Sequence, residues 1–207
     1  MRTYEGGQMK IFGSTIALLG RSGCGKGTQS KLLIEWLRDR HGVGARYVYV
    51  GSECRALAKT DTISGQRMKM ILDAGKLPPT DLVEYVMVCP LREAGREQVV
   101  LYDGSPRRIE EARMLDDMCR GLHRPPLIPV YVDVSHDECL RRLRSADRNR
   151  IDDREEIIRN RLAYFNADVM EVLNYYASAD RLVTIHGESE PTVVFDELVQ
   201  ELSARLS

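Results

Sequence analysis

Short apolar runs, rich in β-branched residues, alternate along the chain with longer segments in which apolar residues recur at helical spacing. The runs cover residues 15–19, 46–50, 99–102, 128–134 and 182–185. Continuous apolar runs are typical of parallel strands covered on both faces, and their alternation with helical segments favours crossover helices. The pattern predicts an α/β fold with a parallel sheet between helical layers.

Two helical segments have clear apolar stripes. After Gly27, the segment up to Gly42 places its apolar residues on one face and is predicted to end at a glycine cap; the stripe comprises Leu32, Leu33, Trp36 and Leu37. Residues 190–206 predict a packing helix. Its expected inner side comprises Val193, Leu198, Leu202 and Leu206.

Composition narrows the class of protein. A chain of 207 residues suits one domain, and a net charge of −1 gives no general attraction to nucleic acid or to anionic membranes. The five cysteines form no CxxC pair, which argues against a zinc site.

The N-terminal residues lack the apolar core of a secretory signal and no run is long enough to span a bilayer, so a cytoplasmic protein is expected.

The stretch Gly20-Arg-Ser-Gly-Cys-Gly-Lys-Gly-Thr28 follows the first predicted strand and precedes a predicted helix. Glycines there allow backbone N–H groups to approach phosphate oxygens at a helix N-terminus. An ordinary glycine-rich turn is the alternative, but the flanking strand and helix favour a phosphate-binding loop (P-loop). The expected ATP-binding residues of this loop are Gly20, Ser22, Gly23, Cys24, Gly25, Lys26, Gly27 and Thr28.

A second polar motif, Asp103-Gly-Ser-Pro-Arg107, follows the third predicted strand. A carboxylate at the end of a strand beside a phosphate loop can order the Mg²⁺ shell of a nucleotide. Asp-Gly and Ser-Pro also form turns, so this motif alone leaves both interpretations open.

Five stretches together resemble the adenylate kinase family of nucleoside monophosphate kinases. They are GKGT, GSECR (51–55), ILDAGKLPPTDLV (71–83), DGSPR (103–107) and RNRIDDREEIIRNRL (148–162). The resemblance implies a P-loop three-layer sandwich with a five-stranded parallel sheet in the order 2-3-1-4-5. It also implies a monophosphate-binding insertion at residues 51–80 with candidate hinges at Gly51 and Gly75, a short lid at residues 141–152 without zinc, and a monomer.

The resemblance assigns roles to individual residues. Lys26 and the loop amides would hold the phosphates of ATP, with Arg144 and Arg148 above the nucleotide, although Arg141 and Arg142 compete with Arg144 for that place. Mg²⁺ would be held through phosphates and water near Thr28 and Asp103, without a direct protein ligand. The expected catalytic residues are Lys26, Asp103, Arg107, Arg150 and Arg161. The expected monophosphate-binding residues are Val50, Gly51, Arg55, Leu72, Lys76, Pro78, Gly104, Arg107, Glu111, Arg150 and Arg161. A solvated helix is the alternative for the lid region.

The preferred monophosphate is less sharply indicated. In adenylate kinases a glutamine at the position of Glu111 reads adenine, whereas a carboxylate can only accept hydrogen bonds and suits the two donors of guanine. Val50 and Ser105 also depart from the residues common in the family. The alternative is that Glu111 is an exposed acid at a helix N-terminus. AMP is the leading acceptor; GMP, CMP or UMP is the rival, and a catalytically silent nucleotide-binding module is the alternative of another class.

Overall fold

In the computed structural model, the chain is described at residues 11–74, 76–145, 165 and 169–206. The strands are β1 (Thr15–Leu19), β2 (Ala45–Tyr49), β3 (Val99–Asp103), β4 (Ile128–Asp133) and β5 (Val183–His186). The helices are α1 (Lys26–His41), α2 (Val50–Leu57), α3 (Ile63–Asp73), α4 (Thr80–Glu93), α5 (Ile109–Gly121), α6 (His136–Ser145), α7 (Met170–Ser178) and α8 (Pro191–Leu206).

The five strands form one parallel sheet in the order β2-β3-β1-β4-β5. This confirms the predicted fold class and strand order. β1 is central and buried throughout, as expected for a strand covered on both faces. The carboxyl ends of β1 and β3 are therefore neighbours, and the two loops that follow them meet at one edge of the sheet.

The core divides between the two faces of the sheet because side chains alternate along each strand. Ile16 and Leu18 pack in the cluster that includes residues of α1 and α8. Ala17 and Leu19 pack in the cluster that includes residues of α2, α4, α5 and α7. Both helical layers are thus fixed against β1, whose end carries the glycine loop.

Most predicted boundaries hold within a residue or two, and α1 ends at Gly42 in the left-handed conformation as predicted. Val50 was expected to end a strand but begins α2. The predicted phase of the last helix was wrong at one position: Val193 is exposed and Val194 is buried, together with Leu198, Leu202 and Leu206. The spacing explains this: Val194 stands four residues before Leu198 and shares its face of the helix, whereas Val193, five residues before it, is turned away by about 140°.

Helices α2 and α3 occupy the described part of residues 51–80. Gly51 lies in the first turn of α2, so its backbone there is helical. The role of this segment as a monophosphate-binding insertion stays a prediction. Gly75 and residues 146–152 of the expected lid lie outside the described residues.

Candidate active site

The glycine loop joins β1 to α1. Gly20, Gly23 and Gly25 have φ values of 143°, 90° and 99°, a region that side chains with a Cβ rarely adopt. Gly25 is the residue that precedes the helix. The first N–H groups of a helix have no partner within its regular hydrogen-bond pattern, and that of Thr28 donates to the carbonyl of Gly25 at 2.9 Å. Local geometry therefore requires glycine here, and the N-terminus of α1 suits a phosphate.

Residues of β4 and α6 also pack closely against the glycine loop. A Cβ on Gly20 would lie 2.8 Å from the carbonyl oxygen of Val132 in β4, and one on Gly23 would lie 2.7 Å from that of Cys139 in α6. Cys24 is buried and its N–H donates to the carbonyl of Arg21 at 3.2 Å. The shape of the loop is thus fixed by its neighbours as well as by its own dihedral angles.

The ammonium group of Lys26 turns back over the loop. Its Nζ donates to the carbonyl oxygens of Gly20 at 2.7 Å and Arg21 at 2.8 Å, and it contacts Cys24 Sγ at 3.5 Å. These charge-assisted hydrogen bonds hold the cation against the loop. A phosphate in the loop would lie next to this positive charge.

The side chain of Asp103 lies beside the start of α1. It is the last residue of β3 and is 6% exposed, and a Cβ on Gly27 would lie 3.6 Å from its Oδ2. Tyr47 in β2 donates a hydrogen bond from its hydroxyl to the same Oδ2 at 2.7 Å. Burial, together with the hydrogen bond to Asp103, raises the pKa of Tyr47.

The oxygens in this region fit a nucleotide-bound Mg²⁺. Thr28 is exposed in the first turn of α1, one residue after Gly27, so a hydroxyl and a carboxylate flank the mouth of the loop. Mg²⁺ prefers hard oxygen ligands and commonly keeps much of its water shell. Among the described residues, His, Cys, Asp and Glu side chains form no group of three that could hold a metal ion.

Arg107 comes close to Lys26. Its Nε donates to the carbonyl of Gly104 at 2.7 Å, and Gly104 has a φ of 79°. A Cβ on Gly104 would lie 3.3 Å from Arg107 NH2 and 3.8 Å from Lys26 Cε. The guanidinium and the lysine side chain therefore flank one point between the two motifs, and the bond between Ser105 and Pro106 in this loop is cis.

Glu111 is buried, contrary to the alternative that it is an exposed helix acid. It is 2% exposed in the first turn of α5, and its Oε2 accepts a hydrogen bond from the backbone N–H of Arg107 at 2.7 Å. Arg108 NH1 lies 3.9 Å from Oε1. Burial raises the pKa of Glu111, although the N–H of Arg107 and the charges of Arg107 and Arg108 oppose this. The carboxylate thus supports the loop that carries Arg107.

Arg55 lies in α2, next to Cys54 in sequence. Its guanidinium lies 5.4 Å from the ring centre of Tyr49. Burial raises the pKa of the Cys54 thiol to about 11, while the nearby positive charge of Arg107 opposes this shift. Arg107 therefore lies near the helix that carries Arg55, although the two residues are 52 positions apart in sequence.

The other expected acceptor residues differ in their burial. Val50 and Pro78 are buried, Leu72 is half-buried, and Lys76 is exposed. The carbonyl of Pro78 accepts a hydrogen bond from Arg108 NH1 at 2.8 Å. This bond ties the segment between α3 and α4 to the loop that carries Arg107.

Arg142, which the sequence named only as a competitor of Arg144, lies close to the glycine loop. It donates to the carbonyl of Gly187 at 2.9 Å through NH1 and to that of Glu188 at 3.2 Å through NH2, and a Cβ on Gly25 would lie 4.0 Å from its NH1. It therefore lies at the rim of the glycine loop. The signal in the sequence was the four-residue spacing of Cys139 and Leu143, which predicts one inward face of α6 with Arg142 beside it; both residues are buried.

Arg144 lies two residues beyond Arg142 near the end of α6, about 200° around the helix from it, and its expected place over ATP stays a prediction. Arg148, Arg150 and Arg161, expected to contact the nucleotides from the lid, lie outside the described residues. In the part of the chain that the structure describes, no helix is both long enough and apolar enough to cross a membrane.

Together, a P-loop after β1, an acidic residue after β3 and the guanidinium of Arg107 beside Lys26 define a phosphotransferase of the P-loop class. The family model described as adenylate kinase matches residues 18–181. An adenylate kinase from Encephalitozoon cuniculi is 31% identical over 89% of this chain and 96% of its own length. Adenylate kinase 1 from Nostoc is 31% identical over 92% of this chain and 97% of its own length.

A UMP-CMP kinase 1 from rice, Oryza sativa subsp. japonica, is also similar, at 28% identity over 93% of this chain and 74% of its own length. The chain belongs to the adenylate kinase family, which confirms the resemblance stated from the motifs. It is accordingly an ATP-dependent nucleoside monophosphate kinase.

Proposed function

We propose that the preferred acceptor is AMP, so that the protein catalyses the reversible reaction ATP + AMP = 2 ADP. The main support is the similarity over nearly the whole chain to proteins named adenylate kinase. Arg107 lies beside Lys26, and with Arg55 of α2 it would form a second phosphate site beside the P-loop.

The chemistry requires charge neutralisation more than covalent participation. An oxygen of the acceptor phosphate attacks the γ-phosphorus of ATP, and the bond from that phosphorus to the ADP oxygen breaks. Lys26 would stabilise the charge on the donor phosphates, while Arg55 and Arg107 would orient the acceptor. Arg150 and Arg161 would bridge both phosphates during transfer. Positioned cations of this kind stabilise the transition state because they need no reorganisation as charge develops.

Mg²⁺ would accompany ATP and bridge its phosphate oxygens, with Thr28 and the Asp103 carboxylate ordering its water shell. The fit rests on the hard oxygen ligands that these two residues place at the start of α1. We expect a monomer in the cytoplasm that uses no zinc.

A second candidate, transfer to GMP, CMP or UMP, is favoured by one observation. Glu111 presents a buried carboxylate where a glutamine would read adenine, and a carboxylate accepts but does not donate. Its Oε2 is already bonded to the N–H of Arg107. An adenine would therefore be read by other groups, whereas guanine could donate to Oε1.

The test is transfer from Mg·ATP to AMP, GMP, CMP and UMP in parallel, with Lys26→Ala as the blank. Faster formation of ADP with AMP than of diphosphate with any other acceptor supports the proposal. A clear preference for another base contradicts AMP and assigns specificity to Glu111. ATP binding without transfer to any acceptor would favour a silent nucleotide-binding module.

A further inference from the structure

The hydroxyl of Tyr47 makes a contact that the phosphoryl-transfer chemistry above does not use. Tyr47 pairs with Leu101 in the parallel register of β2 and β3, and Asp103 lies two residues further along β3. Leu101 and Asp103 share one face of the sheet because side chains alternate. The phenol therefore extends toward the carboxyl edge, where it donates to Asp103 Oδ2 at 2.7 Å.

The hydrogen bond from Tyr47 holds one oxygen of the Asp103 carboxylate, and burial restricts the movement of the rest of this side chain. Asp103 is almost fully buried, and the same Oδ2 lies close to Gly27 at the start of α1. With Oδ2 held by the phenol, the plane of the carboxylate and the direction of Oδ1 are restricted. Partners of this kind orient the groups that surround a metal ion and tune its binding.

The chemistry of the donor matters as well. A phenol donates one hydrogen bond and carries no charge at neutral pH. It can orient the carboxylate without neutralising the negative charge that attracts Mg²⁺. A lysine or arginine at the same place would compete with the metal for that charge.

We propose that Tyr47 is a positioning residue, which holds the Asp103 carboxylate so that it orders the water shell of nucleotide-bound Mg²⁺. This rests on the function proposed above for Asp103. Tyr47 would act through Asp103 and would not contact either nucleotide.

The test is Tyr47→Phe, which removes only the hydroxyl. Mn²⁺ serves as the paramagnetic probe, and its affinity for the complex of the protein with a non-hydrolysable ATP analogue is measured by electron paramagnetic resonance. We expect Mn²⁺ affinity and kcat each to fall about tenfold, with the KM for the monophosphate unchanged. Tyr175→Phe is the matched control, since Tyr175 donates to Asp116 at 3.0 Å in a pair remote from the glycine loop; it should leave both values unchanged.

A double-mutant cycle with Asp103→Asn separates positioning from packing. If Tyr47 acts through Asp103, Tyr47→Phe has no further effect on Mn²⁺ affinity in the Asp103→Asn background. Unchanged Mn²⁺ affinity with a lower melting temperature, or additive effects in the cycle, would overturn the proposal. Failure of wild-type protein to phosphorylate AMP would refute the proposed acceptor, while the Mn²⁺ measurement would still decide the role of Tyr47.

Discussion

Glu111, which the sequence predicts to lie where the base is read, bonds to the local backbone in the structure. Its carboxylate accepts the N–H of Arg107 just before α5 and lies near Arg108. An acceptor at this place satisfies a backbone donor that the helix leaves unpaired. The orientation of Arg107 therefore depends on Glu111 whatever the base.

Glu111→Gln is expected to flatten the pH dependence of stability. Because the pKa of Glu111 is raised in the folded protein, the folded state binds its proton more tightly than the unfolded state. Stability that is present below the unfolded pKa is then lost as pH rises through the folded pKa. Glutamine keeps an acceptor oxygen but does not titrate, so this loss should disappear. Urea unfolding of wild type and variant from acid to neutral pH measures the difference.

The neighbouring Glu110 provides the control. It is exposed in the same helical turn, and Glu110→Gln should leave the pH profile close to that of wild type. Parallel profiles for wild type and Glu111→Gln would show that the folded protein does not raise the pKa of Glu111.

At the residue scale, the sequence predicted contacts that follow from motif spacing. The closeness of Lys26, Gly104 and Arg107 follows because the loops after β1 and β3 meet at one edge of the sheet. The contact of Tyr47 with Asp103 joins residues 56 positions apart and depends on strand register. No motif records that register, and the same holds for Arg142 and the carbonyl of Gly187.

At the level of elements, the glycine loop and α6 form one packed unit. Gly23 has a positive φ and its α-carbon faces the backbone of Cys139 and the side chain of Leu143. An added methyl group would have to displace α6 or the loop. Phosphate binding therefore depends on a helix that contributes none of the loop residues.

Gly23→Ala should weaken ATP binding about tenfold or more and destabilise the fold by about 1–3 kcal/mol, the range for a strained backbone residue. Gly44→Ala is the matched control, because Gly44 has no heavy atom within 4 Å of its added Cβ and no positive φ is recorded there. Calorimetric titration with ATP and urea unfolding give the two quantities. Equal ATP affinity in both variants would mean that the contact with α6 does not set the loop geometry.

The sequence predicted the presence of the helices and strands better than their exact ends and inward-facing residues. Apolar runs identified all five strands, because strands buried on both faces leave little room for polar residues. The end of β2 and the inner face of α8 were misjudged by one residue each. The start of α2 at Val50 is not marked by apolar content, whereas the inner face of α8 follows from the four-residue spacing of Val194, Leu198, Leu202 and Leu206 and could have been identified.

At the scale of the molecule, the site lies where the order of the sheet reverses around β1. β1 pairs with β3 on one side and with β4 on the other, and ligands of open α/β sheets bind at such a point. The location of the site was therefore predictable from strand order. The side chains that complete it from residues 146–164 depend on segments outside the described residues.

The five cysteines can report how much of the molecule must open to expose its core. All are free; Cys24, Cys54, Cys119 and Cys139 are buried, and Cys89 is half-buried. Burial raises the pKa of both Cys54 and Cys139 to about 11, and the thiolate is the reactive form. We expect one fast reaction of the native protein with a disulfide reagent, at Cys89, and slow reaction of the other four through opening of the structure. Mass spectrometry of quenched samples assigns each rate, and Cys89→Ser should abolish the fast phase.

A different outcome would be a fast phase that persists in Cys89→Ser and maps to Cys24. It would show that the glycine loop opens independently of the core. Saturating ATP should then suppress this phase, because bound phosphate would hold the loop closed.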